Sequence, residues 1–333
     1  MLLMLEFSMI HADSRRAAVE SWLAAQLRGA RFSLACASVD ASFRRYFRAS
    51  LPDGRSYVVM DAPPEQEDCR PFVHVARLLR AAGVHAPEVH AEDLAQGFLL
   101  LADLGTQTYL QALNADNAAR LLGEATDALL RWQLATRPGE LPPYDEALLR
   151  REMNLFPEWY VSRHLGVELS NAQKAELEGI YRLLVKSALA QPAVYVHRDY
   201  MPRNLMVSEP NPGVLDFQDA VLGPITYDMV SLLRDAFVSW DEERVLDWSV
   251  RYWEKAKRAG LPVQTGFAEF WRAFEWMGLQ RHLKVLGIFA RINYRDGKPK
   301  YLEDAPRFIR YARAVSERYA ALAPLARLLD ELE

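Results

Sequence analysis

Asp199, Asn204 and Asp216 are the residues whose types and spacing could act together in one reaction. They lie in Val196-His197-Arg198-Asp199-Tyr200-Met201-Pro202-Arg203-Asn204-Leu205-Met206-Val207 and in Val214-Leu215-Asp216-Phe217-Gln218-Asp219. Short apolar β-type runs at 194–196, 205–207 and 214–215 bracket them, so turns at strand ends can aim two carboxylates and an amide into one cleft. A carboxylate that deprotonates an attacking hydroxyl, beside oxygen ligands for Mg²⁺, is the set that phosphoryl transfer from a nucleotide needs. Magnesium takes few protein oxygens and completes its shell with phosphate and water, so one amide and one carboxylate suffice.

Such a loop has to be carried by regular elements, and their pattern changes along the chain. Residues 13–27 read as a helix, with Asp13 or Ser14 as N-cap and Ala18, Trp22, Leu23 and Leu27 at helical spacing. Strand-type runs follow at 32–36, 43–49 and 57–60, the last two joined by the turn Pro52-Asp53-Gly54. A helix through Phe72, Val75, Ala76, Leu78 and Leu79 ends at Gly83, and two more strands are expected at 87–91 and 98–102. The first hundred residues therefore form a small α+β lobe. Beyond Leu104-Gly105 helical periodicity dominates at 107–137, 145–165, 171–190 and from 227 nearly to the end. This divides the chain into 1–104 and a mostly helical 105–333.

Composition narrows the classes of partner. The chain has 333 residues, half of them apolar and a quarter charged, enough for a sizeable core in two lobes. Lys plus Arg total 40 against 44 Asp plus Glu, a net charge of −4 that gives no nucleic-acid or membrane-surface footprint. Cys36 and Cys69 are too few for a disulfide framework and are read as packing residues in a reducing compartment. The apolar start carries Glu6, lacks a basic region and a cleavage site, and is too short to span a bilayer. The expectation is a cytoplasmic monomer acting on a small molecule, with no nucleic-acid or membrane partner.

His-x-Asp-x-x-x-x-Asn followed by a strand-terminal Asp resembles the catalytic and metal-binding loops of the aminoglycoside phosphotransferase and choline kinase family, relatives of the protein kinases. The resemblance implies a bilobal protein-kinase-like α+β fold, with a small N-lobe built on an antiparallel sheet for nucleotide binding and a large helical C-lobe. It implies ATP and Mg²⁺ as cofactors, Asp199 as catalytic base, Asn204 and Asp216 as magnesium ligands, and His197 as a brace for the loop. Gly97-Phe98-Leu99-Leu100-Leu101-Ala102-Asp103-Leu104-Gly105 is similar to the family's last N-lobe strand and hinge, where Leu101, Ala102, Asp103 and Leu104 would bind ATP. Family members carry a strand Lys for the α- and β-phosphates. Here Tyr57-Val58-Val59-Met60-Asp61-Ala62 places Met60 at that position, and Ser38-Val39-Asp40-Ala41-Ser42-Phe43-Arg44-Arg45 replaces a Gly-rich loop. Ser42 is expected at phosphate, with Arg44, Arg45 or Arg48 able to supply the missing positive charge and Arg44 or Arg45 favoured over a lost function.

Phe217-Gln218-Asp219-Ala220-Val221-Leu222-Gly223-Pro224, Tyr227-Asp228, Ser231-Leu232-Leu233-Arg234-Asp235 and Gln280-Arg281-His282-Leu283-Lys284 are more specific. They resemble the anomeric amino-sugar kinases of bacterial cell-wall recycling, which phosphorylate the C1 hydroxyl of N-acetylmuramate and N-acetylglucosamine. A pocket for such sugars needs polar groups and one cation for the lactyl acid. Glu152, Asn154, Arg203, Asp219, Arg234, Gln280, Arg281 and Lys284 are candidates, and His282 reads as a packed histidine. A choline, amino-alcohol or aminoglycoside kinase is the alternative, although no acidic run favours a polycation. A nucleotide-binding pseudokinase acting through a partner is suggested by the missing Lys and opposed by the presence of Asp199, Asn204 and Asp216 together.

Overall fold

A computed structural model describes the backbone of residues 2–39 and 43–332 and the side chains of residues 14–37 and 43–332. The chain divides into two compact units, residues 1–106 with 206–219, and residues 107–205 with 220–333. No described helix is long and apolar enough to cross a membrane.

The first unit opens with helix α1 (Leu2–Gln26) and strands β1 (Ser33–Val39), β2 (Arg45–Ser50) and β3 (Ser56–Asp61), continues through helix α2 (Arg70–Ala81), and ends in β4 (Val89–Asp93) and β5 (Phe98–Ala102). The strands form one antiparallel sheet in the order β1-β2-β3-β5-β4. All five were expected, because period-2 patterning and the Pro52-Asp53-Gly54 turn are local signals. The first helix starts eleven or more residues before Asp13, at Leu2. Its N-cap is therefore not at Asp13 or Ser14, since a run of good helix formers carries the helix through the local cap signal. Val19 and Leu23 of α1 pack with Phe47, Ala49, Val59, Phe98 and Leu100 on one face of the sheet. Gly97 is obligatory at the β4–β5 turn: its φ is +74°, and a Cβ there would lie 1.8 Å from the Ala62 carbonyl oxygen.

Residues 206–219 belong to this unit and not to the helical one, so a cut at 104/105 alone does not describe it. The Val214 N–H donates to the His85 carbonyl at 2.7 Å, and His85 Nδ1 bonds the Pro210 carbonyl at 2.6 Å. Cys69 is buried, which raises its thiol to about 11, whereas Cys36 is exposed and does not serve packing.

The second unit is helical except for two strands, Ala193–Val196 and Val221–Pro224, which pair antiparallel. Its helices are α3 (Tyr109–Ala112), α4 (Ala118–Leu134), α5 (Glu146–Met153), α6 (Asn171–Leu189), α7 (Tyr227–Leu233), α8 (Glu242–Arg258), α9 (Phe267–Asp296), α10 (Ala305–Arg318) and α11 (Ala323–Glu331). The helical periodicity over 107–137 is carried by two helices, α3 and α4, with a break between them. Asn114 accepts from the N–H groups of Asp116 and Asn117, and Asn117 accepts from the N–H of Asn114, so short polar side chains satisfy the backbone that a helix would use. The helix expected over 145–165 starts where Asp145 caps the Leu148 N–H at 2.8 Å, but its second half, Phe156–His164, is a π-helix.

Helix α9 is buried along most of its length, and at Gly287 it meets the backbone just before that π-helix. A Cβ on Gly287 would lie 2.3 Å from the Leu155 carbonyl carbon. Because backbone on both sides must move, Gly287→Ala is expected to cost about 1–3 kcal/mol by overpacking, read as a lower urea midpoint at unchanged slope.

Candidate active site

The loop from His197 to Asn204 leaves the strand Ala193–Val196 and is held from several sides. Asp228, on the first turn of α7 and fully buried, accepts the N–H of His197 at 2.7 Å and the N–H of Arg198 at 3.0 Å. Burial pushes the Asp228 carboxyl up to about 7 against the pull of those two donors, and the charge of Asp199 adds to the rise. His197 is buried, and its Nδ1 accepts the Asp199 N–H at 3.3 Å. Tyr200 is buried and donates to the Ala125 carbonyl at 2.8 Å, while Asn204 Nδ2 donates to the Asp199 carbonyl at 2.9 Å. These bonds impose a φ of +76° on Arg198, immediately before Asp199. Committing the amide nitrogen of Asn204 leaves an oxygen as its other terminal atom, the donor type a hard cation takes.

A buried charge cluster lies behind this loop. Glu152 of α5 receives Arg198 at 2.5 Å and Lys284 at 3.0 Å, a hydrogen bond from the Tyr144 hydroxyl, and one from Gln280 at 3.4 Å. Lys284 also donates to the Tyr227 hydroxyl at 3.0 Å. Burial would raise the Glu152 carboxyl, but the Lys284 and Arg198 charges overcome it and hold it at about 2. Two cations thus face one carboxylate, and both also feel the charge of Asp199. Glu152, Gln280 and Arg281, expected as sugar contacts, are buried inside the unit. Glu152 holds the loop at Arg198, and Gln280 donates to Glu152. Arg234 pairs with Glu242, and His282 is packed against Phe308 and Tyr311, with burial driving its imidazole well below the usual range. Arg203 is exposed and lies over the Phe237 ring at 5.4 Å.

In the first unit Asp216 has a φ of +64°, and its Oδ1 accepts the Gln218 amide at 3.0 Å. The next residue, Phe217, is fully buried against Phe72 with ring centroids 4.7 Å apart. Among the described non-glycine residues only Arg28, Arg198 and Asp216 hold a positive φ. Arg198 adjoins Asp199 in one unit and Asp216 is itself a candidate metal ligand in the other, and backbone strain tends to be kept for function. Asp219 is exposed.

Strand register sorts the arginines expected at phosphate. Arg45 pairs with Asp61 and Tyr46 with Met60 across β2 and β3, so Arg45 and Met60 point to opposite faces of the sheet. Arg45 and Arg15 of α1 both bind the buried Asp61 carboxylate on the face that α1 covers. Arg44 lies 3.9 Å from Glu67. Arg48 is on the Met60 face, but it grips Asp103 at 2.6 and 3.0 Å and the Gly105 carbonyl at 2.8 Å. Burial works against ionisation of Asp103, yet Arg48 and Ser56 hold its carboxyl below the usual range. The segment that follows β5, where Ala102 donates to the Glu88 carbonyl at 2.9 Å, is therefore clamped by a bidentate ion pair. Ser42 lies outside the described residues.

A sequence model of the phosphotransferase enzyme family matches residues 33–263. The chain belongs to that family. The phosphotransferase is 60% identical over 301 residues to the N-acetylmuramate/N-acetylglucosamine kinase of Pseudomonas putida, covering 90% of this chain and 88% of the relative. It is 52% identical to the protein of that name from Neisseria meningitidis, covering 96% of each. Among solved structures it is similar in fold to a choline/ethanolamine kinase family protein from Mesorhizobium loti, with a TM-score of 0.61, 17% identity, and coverage of 95% and 99% of the two chains. It is also similar to ADP-bound aminoglycoside phosphotransferase APH(2'')-Ib, with a TM-score of 0.59, 14% identity, and coverage of 89% and 97%. At such low identity these likenesses show the shared kinase-like fold.

Three features of this phosphotransferase escaped the residue-by-residue reading: the Asp228 cradle, the Glu152 hub and the Arg48–Asp103 clamp. Asp228 and Glu152 look like any carboxylate on a helix in sequence. A buried location is the signal, and only the packed structure carries it.

Proposed function

We propose that this phosphotransferase is an ATP-dependent sugar kinase that phosphorylates the anomeric C1 hydroxyl of N-acetylmuramate and N-acetylglucosamine in peptidoglycan recycling. Identity of 60% along nine-tenths of the chain to a relative named for those two sugars carries the choice of substrate. Asp199 is the base, presented on a loop whose backbone is pinned by Asp228, His197 and Asn204. It accepts the C1 hydroxyl proton as that oxygen bonds to the γ-phosphorus and the bond to the β-phosphate oxygen breaks, releasing ADP. Asn204 and Asp216 fit a magnesium ion by donor type, and such an ion, when bound, offsets charge on the transferring phosphates. The backbone at Leu101, Ala102 and Leu104 receives adenine, with Asp103 holding the hinge through Arg48. An enzyme that uses ATP and a recycled cell-wall sugar is expected to act in the cytoplasm.

The test is ADP release with N-acetylmuramate, N-acetylglucosamine, glucose, choline, homoserine and kanamycin, with the phosphate position read by ³¹P NMR. Turnover on the two N-acetyl sugars with phosphate at C1 is expected. Turnover on choline or kanamycin alone would refute the substrate and leave the chemistry, whereas ATP binding without ADP release from any acceptor would leave a pseudokinase.

Arg48 provides a separate check on nucleotide binding. Arg48→Lys keeps a charge but loses the fork that grips Asp103, so KM for ATP should rise about tenfold while KM for sugar moves far less. Equal changes in both constants would remove Arg48 from the nucleotide side.

A further inference from the structure

Arg203 is set apart from other cations of the catalytic loop and of helices α7 and α9. Arg198 and Lys284 share Glu152, Arg234 is engaged by Glu242, and Arg281 is buried. Arg203 is exposed, and among the described residues its guanidinium makes no ion pair or hydrogen bond. Its described contact is with the face of Phe237, 5.4 Å from the ring centroid.

Both partners of that contact are fixed by the two ends of α7. Asp228, at its start, holds the loop on which Arg203 follows Asp199 by four residues. Asp235, just past its end and fully buried, accepts the N–H groups of Phe237 at 3.0 Å and Val238 at 3.2 Å, which sets the turn that carries the ring. A guanidinium laid on an aromatic face keeps its in-plane N–H donors for a planar acceptor, and a carboxylate takes two of them at once. Holding the side chain beforehand lowers the entropy lost when that acceptor arrives.

The two sugars differ in one group, the lactyl ether of N-acetylmuramate with its carboxylate. We propose that Arg203, seated on Phe237, binds that carboxylate and so sets the preference between the two substrates. This rests on the sugar-kinase function proposed above. The reacting hydroxyl meets Asp199 while the acid meets a residue of the same loop, so one rigid element reads both ends of the substrate.

The experiment measures kcat/KM for both sugars at saturating ATP, and KM for ATP at saturating sugar, with the full-length enzyme and with Arg203→Met, Arg203→Lys and Phe237→Leu. The ratio of N-acetylmuramate to N-acetylglucosamine efficiency should fall about 10- to 100-fold in Arg203→Met, by less in Arg203→Lys, which keeps the charge without the fork, and several-fold in Phe237→Leu. An unchanged ratio would overturn the assignment. So would an equal loss on both sugars with a raised KM for ATP, which would move Arg203 to the nucleotide. Wild-type enzyme inert on both sugars but active on another acceptor would instead overturn the sugar-kinase function, and it would be seen before any variant is made.

Discussion

Asp199→Asn is expected to yield a folded protein whose kcat is lower by about a thousandfold or more, since an amide cannot take the proton of the attacking hydroxyl. The loop should keep its shape in this variant. The bonds that hold it use the N–H groups of His197, Arg198 and Asp199 and the carbonyl of Asp199, none of which is changed by replacing the carboxylate. Asp199 is also only half-buried, so little packing is lost. Thermal midpoints should therefore agree within about 2 °C, the range of a surface substitution. ADP release and a melting curve on the same preparation decide the matter. Activity above a tenth of wild type would mean that another group accepts the proton, and a large fall in melting temperature would mean that the lost activity reports folding.

Glu152→Gln should have the largest effect on stability. The substitution keeps size and removes a carboxylate that faces Arg198 at 2.5 Å and Lys284 at 3.0 Å. Lys284 is buried and Arg198 nearly so, and stranding buried cations costs about 3–5 kcal/mol. The urea midpoint should fall accordingly. Activity should drop too, because Arg198 belongs to the loop that presents Asp199. The pH dependence has a definite sign. Glu152 titrates at about 2 in the folded protein against 4.5 for an unperturbed Glu, so the unfolded chain binds the extra proton between those values. The stability that the carboxylate contributes is fully present above about pH 4.5 and is lost as pH falls through 2. Wild type should lose stability across that window, and Glu152→Gln should show a flatter profile there. A variant as stable as wild type at pH 7 would show that the two cations find other partners, and it would dismantle the hub.

Much of the site was legible because its signals are local. The spacing from Asp199 to Asn204, the short β runs around them and the turn residues between the early strands all act within a few positions of the chain, where backbone geometry leaves few alternatives. The same locality explains why the expected strands of the first unit were found in place while some helix boundaries were not. The cap signal at Asp13 is overridden by the eleven helical residues that precede it, about three turns, and the break at 113–117 depended on which side chains captured backbone N–H groups.

From sequence alone came the phosphotransferase chemistry, the residues proposed to carry it and the change from sheet to helices. Tertiary structure alone decided which charges serve the ligand and which serve the fold. Arg45 and Arg48 are both basic residues of one strand, yet register sends them to opposite faces, one to Asp61 under α1 and the other to Asp103 after β5. Gln280 and Arg281 sit on a helix whose polar residues are turned inward, so a polar position on α9 is no sign of solvent. Asp228 reaches His197 across 31 residues and Glu152 reaches Arg198 across 46. Contacts that distant are chosen by packing, because a buried charge must find its counter-charge wherever the fold brings one, and no periodicity in the chain records that choice.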